Sequence, residues 1–168
     1  MPVGLQEIKK AGLRLTELPR EGRCLAAAEN GRGFPAGAVL LAERPVVRNS
    51  VEALALEMSR NPKRFDLLRG DQNLAAAEVS DASRSKPFIL EAETNSFLFA
   101  GRCVAFNAFS MLNHACATSL EENACFSILS TGDKPVDDDM EVKLVATRDI
   151  KPGEPIHISY HELFAEPQ

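Results

Sequence analysis

The chain has no tryptophan and a single tyrosine, Tyr160, among its 168 residues. Nine phenylalanines supply the rest of the aromatic surface, so a core must be built from them and from aliphatic side chains. Cysteine is sparse as well: Cys24, Cys103, Cys116 and Cys125 form no C-x-x-C pair. The histidines His114, His157 and His161 do not complete a zinc-binding spacing with them, so no metal site is expected. Scattered thiols of this kind fit a reducing compartment. No run approaches the ~18 apolar residues of a membrane span, and residues 1–10 lack the apolar centre of a signal peptide. The expectation is a protein of the nucleus, the cytoplasm or both, neither secreted nor membrane-bound. An excess of positive charge is also missing, since 19 Lys and Arg face 24 Asp and Glu for a net charge of −5. That balance disfavours direct nucleic-acid binding and suits a basic partner.

What is present reads as one folded domain over residues 1–168, mainly β (α+β), with 45% hydrophobic and 26% charged residues. Leu5, Ile8, Gly12 and Leu15 give a weak signal compatible with helix or strand. Residues 38–47 are β-rich after Pro35-Ala36-Gly37, and Pro45 marks an edge or the end of that strand. Val51, Leu54, Ala55 and Met58 then fall at helical spacing behind Asn49, with Glu52 placed as in a capping box. Asn61-Pro62 closes that helix, and apolar residues from Phe65 to Val79 predict one or two more. Residues 80–87 read as a loop. Residues 96–105 predict two short strands broken at Gly101. Residues 125–130 and 141–147 predict a strand pair, joined by a segment whose Asp137-Asp138-Asp139 reads as a solvated turn. Pro152-Gly153 is a turn, after which Ile156, Ile158 and Tyr160 alternate with His157 and Ser159. The turn at Phe34-Pro35-Ala36-Gly37 echoes the one at Ile150-Lys151-Pro152-Gly153, as if one turn-into-strand device were used twice.

Three stretches carry candidate chemistry: residues 22–27 with Gly37 and Glu43-Arg44-Pro45 downstream, residues 95–97 with 110–116, and residues 146–160. Singly, each has an ordinary explanation. Gly22 suits a turn, Asn113-His114 a hydrogen-bonded core pair, and Tyr160 a buried aromatic with its hydroxyl satisfied. Cys116 two residues from His114 offers a nucleophile or a ligand pair, but no third partner has suitable spacing.

In order and combination, however, these stretches resemble the SET-domain protein lysine methyltransferases, closest to the SET-and-MYND branch, here without a MYND finger or a cysteine-rich post-SET segment. That family reads G-x-G-L-x-A, a strand with E-x-P, then N-S-F, S-x-x-N-H-S-C-x-P-N, and A-x-R-D-I-x-x-G-E-E before a strand ending in Tyr. Gly22-Arg23-Cys24-Leu25, Glu43-Arg44-Pro45, Asn95-Ser96-Phe97, Asn113-His114-Ala115-Cys116 and residues 146–160 follow that order. The resemblance implies a β-clip-like SET fold of short strands with a helical insert and a C-terminal pseudoknot. It divides the chain into residues 21–49, an insert at 50–94, and residues 95–163.

The resemblance also implies S-adenosylmethionine as cofactor, held by Gly22, Arg23, Cys24, Asn95, Asn113 and His114, with Phe164 from the tail. It makes Tyr160 the catalytic residue, beside the methyl being transferred to a lysine amine. The implied partner is a lysine-bearing protein or peptide, a histone tail among the candidates; the oligomeric state stays open, a monomer included. Such a transfer is an in-line displacement in which alignment and a polar, water-poor channel supply most of the acceleration. Cys24 replaces the second glycine of G-x-G, Thr118-Ser119 replace Pro-Asn, and Phe97, Phe99, Phe106 or Phe109 must line the channel in place of a second tyrosine. These departures support an alternative, a catalytically weak or inactive SET-like module acting by cofactor or protein binding. A hydrolase using Cys116 is more remote.

Overall fold

A computed structural model of the chain describes residues 3–18, 22–65, 88, 92, 95–99, 101–114, 122–128 and 137–159. The ambiguous apolar spacing at the start resolves into both structures it allowed. Helix α1 (Val3–Lys10) buries Ile8, and strand β1 (Leu13–Leu18) buries Leu13. Gly12 separates them at φ +77°, a conformation that glycine adopts without side-chain strain. Strand β2 (Gly22–Ala27) returns antiparallel to β1, with Leu15 opposite Leu25.

The apolar run at residues 38–47 is two strands, β3 (Val39–Glu43) and β4 (Val46–Arg48). Pro45 has no N–H to offer a ladder, and the chain changes sheets at that point. Downstream lie a hairpin, β5 (Ser96–Phe99) and β6 (Arg102–Ala105), and the strands β7 (Asn113–His114), β8 (Ala124–Ile128), β9 (Val142–Ala146) and β10 (His157–Ile158). Strand β3 joins a sheet of order β3-β9-β8, whereas β4 joins one of order β4-β6-β5. Gly101 turns the β5–β6 hairpin at φ +74°, and the expected pair of residues 125–130 and 141–147 is the antiparallel β8–β9 ladder.

Helix α2 (Val51–Arg60) begins one residue later than its sequence pattern predicts. Ser50, not Asn49, is the cap: its Oγ accepts from the Ala53 N–H at 3.2 Å, which puts Glu52 at the second helical position and not at the third, where a capping box has its glutamate. The helix turns Leu54, Ala55 and Met58 inward and ends at Asn61, where Pro62–Phe65 adds a turn of 3₁₀ helix. The further helices expected up to Val79, and the loop at 80–87, lie outside the described residues.

In the acidic segment before β9, Asp137 and Asp139 are exposed as a solvated turn requires, while Asp138 is half-buried. Asp138 accepts from the Val47 N–H at 2.7 Å, on the β4 edge, and from Arg48 at 2.8 and 3.0 Å. Arg48 also meets Glu57 of α2 at 2.9 Å, so one guanidinium ties strand, helix and turn together.

Leu25, Leu40, Leu54, Met58, Phe109, Leu112, Leu144, Ile156 and Ile158 are among the residues filling the core. The architecture is mainly β with few helices, as expected. Among the described strands the pairing of β10 with β7 is parallel, whereas the other strand ladders are antiparallel. The chain beyond Ser159 lies outside the described residues. Among those described, no helix is long and apolar enough to cross a membrane.

Candidate functional site

Strand β2 carries Gly22, Arg23 and Cys24 and leaves one edge for residues 153–156. Along that edge the Gly153 N–H donates to the Ala27 carbonyl at 3.1 Å, the Ala27 N–H to Glu154 at 2.9 Å, and the Ile156 N–H to Leu25 at 2.8 Å. The chain then runs into β10, which lies beside β7 with His157 opposite Asn113 and Ile158 opposite His114. Three motifs far apart in sequence therefore share one continuous line of backbone pairing.

A fourth is tied in from the side. Asn95 is 8% exposed, and its carbonyl accepts from Ser110 Oγ at 2.9 Å. Ser110 lies in the 3₁₀ turn Phe109–Met111, which Leu112 connects to β7. The fifth motif closes the arrangement from below that turn. Both oxygens of Glu43 accept from consecutive backbone amides: Oε1 from Asn107 at 2.5 Å and Ala108 at 3.2 Å, Oε2 from Ala108 at 3.1 Å and Phe109 at 3.0 Å. Burial pushes the Glu43 carboxyl up from its ordinary 4.5 to about 7, against the pull of those amides. Glu7 on α1 adds a smaller push in the same direction.

Asn123, which carries no signal in the sequence reading, pins the line where β8 begins. It is 1% exposed; its Nδ2 donates to the Pro155 carbonyl at 2.8 Å and to Glu154 at 3.2 Å, and its Oδ1 accepts from the His157 N–H at 2.9 Å. Burial works against the Glu154 charge. The Lys151 N–H, Asn123 and Arg148 nevertheless hold its carboxyl below the ordinary range.

For the individual site residues the structure is unequal. Arg23 is half-buried, whereas Cys24 has no exposed surface and, with Ala26, occupies the strand face opposite Leu25 and Ala27. Asn113 and His114 are placed by backbone pairing, and Asn95 by its carbonyl and burial. Tyr160, Phe164 and Cys116 lie outside the described residues, as does the side chain of Phe99. Of the other candidate lining aromatics, Phe109 is fully buried and Phe106 is 5% exposed, so both serve the core. Phe97 meets Phe106 edge-on at 6.3 Å, and Phe126 on β8 stacks on Phe106 at 6.2 Å. Phe97 and Phe126 are the half-buried members of this group, and Phe126 is an addition that the sequence reading lacked.

The SET domain family model matches residues 22–161, from the start of β2 to just beyond β10. The match does not distinguish a branch of the family. Comparison with curated protein sequences gives no match. Among solved structures the chain is similar to a Plasmodium falciparum protein described provisionally as a histone methyltransferase. The identity is 11% and the TM-score 0.48, over 89% of this chain and 92% of that one. It is also similar to CpSET8 from Cryptosporidium at 13% identity and a TM-score of 0.47, over 88% of this chain and 56% of that one.

Proposed function

The chain belongs to the SET-domain family, and from that premise we propose that it transfers a methyl group from S-adenosylmethionine to the side-chain amine of a lysine in a protein substrate. The observation that carries this reading is the pairing of β7 with β10. It sets the backbone of Asn113 and His114 beside the strand that leads to Tyr160.

The residues present suit the cofactor in kind. Asn95 and Asn113 offer both donors and acceptors to a zwitterionic amino-acid tail, and Arg23 adds a cation for its carboxylate. His114 completes the set on the same segment as Asn113. When bound, S-adenosylmethionine supplies a methyl group activated by a sulfonium centre. The tasks left to the chain are positional. Tyr160 orients the incoming amine through its hydroxyl, and Phe97 and Phe126 exclude water from the approach. A lysine amine has an ordinary pKa near ~10.4, so the desolvation that such walls impose favours the neutral nucleophile.

The acidic balance of the chain supports a basic, lysine-bearing substrate such as a histone tail, met in the nucleus or cytoplasm. Membership of the SET-and-MYND branch is part of the same proposal. One observation favours the second reading, a SET-like binding module: Cys24 stands where the family has glycine and offers no exposed surface.

Calorimetric titration with S-adenosylmethionine, followed by a radiolabelled methyl-transfer screen on histones and lysine-rich peptides, separates the two readings. Binding with transfer is expected. Binding without transfer to any substrate would promote the module, and no binding would remove both the cofactor and the enzyme reading. Tyr160→Phe is expected to bind cofactor as the parent does and to lose most transfer.

A further inference from the structure

Glu43 is the least ordinary side chain in the described structure. It lies at the end of β3, half-buried, yet its two oxygens are committed to three successive amides of another segment. Those amides open the 3₁₀ turn Phe109–Met111, so the carboxylate acts as a cap supplied from a distant strand. Only Leu112 separates that turn from Asn113 and His114. The same turn carries Ser110, whose hydroxyl holds the Asn95 carbonyl.

We propose that Glu43 is a positioning residue for the cofactor site: its ionised carboxylate fixes residues 107–109, and through them Asn95, Asn113 and His114, so cofactor binds more tightly once Glu43 has lost its proton. This rests on the S-adenosylmethionine reading given above. A protonated carboxyl directs a hydrogen at amides that need an acceptor, so at least one of the contacts must be given up. The surroundings make that exchange accessible near neutral pH. Burial and the like charge of Glu7 on α1 oppose ionisation, and the amides of residues 107–109 favour it. Across the sheet Glu43 faces apolar Val142, while the next cation along β9, Lys143, pairs with Glu141 at 3.7 Å.

The test is cofactor affinity by calorimetry from about pH 5.5 to 8.5 for the parent chain, Glu43→Gln and Glu7→Gln. If binding selects ionised Glu43, parent affinity rises about tenfold between about pH 6 and about pH 8. Glu43→Gln keeps an acceptor but cannot titrate, so its profile is expected to lose that rise. Glu7→Gln is expected to move the rise to lower pH. Equal profiles for parent and Glu43→Gln would overturn the proposal, because His114 and the cofactor's own amine remain in both. Amide-exchange protection of residues 107–109 in the cofactor-free parent chain is a second readout. It is expected to increase over the same pH range, and unchanged protection would overturn the carboxylate's hold on this segment. Absence of binding at every pH, with protection still rising, would instead reject the cofactor reading and keep the hold.

Discussion

Phe34 and Ile150, from opposite ends of the chain, exchange a pair of backbone hydrogen bonds, each 2.8 Å long. They belong to the two turns whose sequences echo one another, so the repeated device is also a point of mutual attachment. The neighbouring bonds extend it. The Gly37 N–H donates to Ala146 at 2.8 Å, and the Ala36 N–H to Asp149 Oδ1 at 2.9 Å. The N-terminal strands and the segment leading to β10 are thereby held in one register.

Gly33 sits directly against this junction at φ +70°, and a Cβ there would run into the Ile150 carbonyl oxygen. Gly33→Ala is therefore expected to lose about 2–4 kcal/mol, combining left-handed backbone strain with the breaking of a close approach. Gly37 at φ +80° is the control, because none of the described residues lies within 4 Å of its added Cβ. Gly37→Ala should lose only the strain, about 1–2 kcal/mol. Urea unfolding of both variants checks this; equal losses would mean that the Phe34–Ile150 junction yields without cost.

Asn123 supports a second prediction. Removing its amide leaves the Pro155 carbonyl and the His157 N–H short of a partner at a site almost closed to water. Asn123→Ala is expected to cost about 2–3 kcal/mol in urea unfolding and to weaken cofactor binding in the same preparation. Asn123→Asp should be worse, since it turns a charged oxygen toward Glu154 and the Pro155 carbonyl where the amide now donates. An aspartate variant more stable than the alanine variant would show that this amide does not pin the strand.

Local chemistry made part of this legible. Gly101 and Pro152-Gly153 announce turns, Asn61-Pro62 a helix end, and the spacing of Leu54, Ala55 and Met58 a buried helix face. The five motifs, taken in order, gave the SET fold that the family match supports. What escaped depends on partners remote in sequence. Asn49 and Ser50 are both good caps, and only the folded geometry selects Ser50. The family pattern puts an asparagine at position 119; this chain has serine there, and a hydrogen-bonded asparagine stands at 123 instead. Asp138 reads as one of three aspartates in a polar turn, and nothing nearby reveals that Arg48 and the Val47 N–H await it. Glu43 is visible as part of E-x-P, yet its role is set by amides beyond the helical insert.

The Arg48 cluster yields a prediction at low pH. The Arg48 hydrogen bond draws the Glu57 carboxyl below its ordinary range. Burial opposes the Asp138 charge, but Arg48 and the Val47 N–H hold its carboxyl low as well. Both groups then contribute stability above the unfolded carboxylate range, and that contribution is lost as pH falls through their depressed values. Asp138 is 41% exposed at its side chain, so solvent screening keeps the effect modest. Asp138→Asn is expected to lose about 1 kcal/mol at neutral pH and close to nothing in strong acid, read from thermal or urea midpoints. A loss of the same size at both would assign the effect to geometry instead of charge.

Glu43 carries the opposite sign, which makes the two groups separable. Its folded value of about 7 lies above the ordinary 4.5, so the folded chain binds this proton more tightly than the unfolded one. The resulting stability is present in full below about pH 4.5 and is lost as pH rises through about 7. The upper bound on the loss is about 3 kcal/mol. Ionisation thus costs global stability while supplying the acceptor that residues 107–109 require, an opposition expected of a group kept for a local task. Urea midpoints at about pH 5 and about pH 8 are expected to fall in the parent chain, and to fall markedly less in Glu43→Gln, where no proton is exchanged. The comparison rests on the difference in slope between the two proteins, so any constant penalty from the glutamine amide drops out. Parallel slopes would show that Glu43 titrates in the folded chain as it does in the unfolded one, and that burial does not govern its charge.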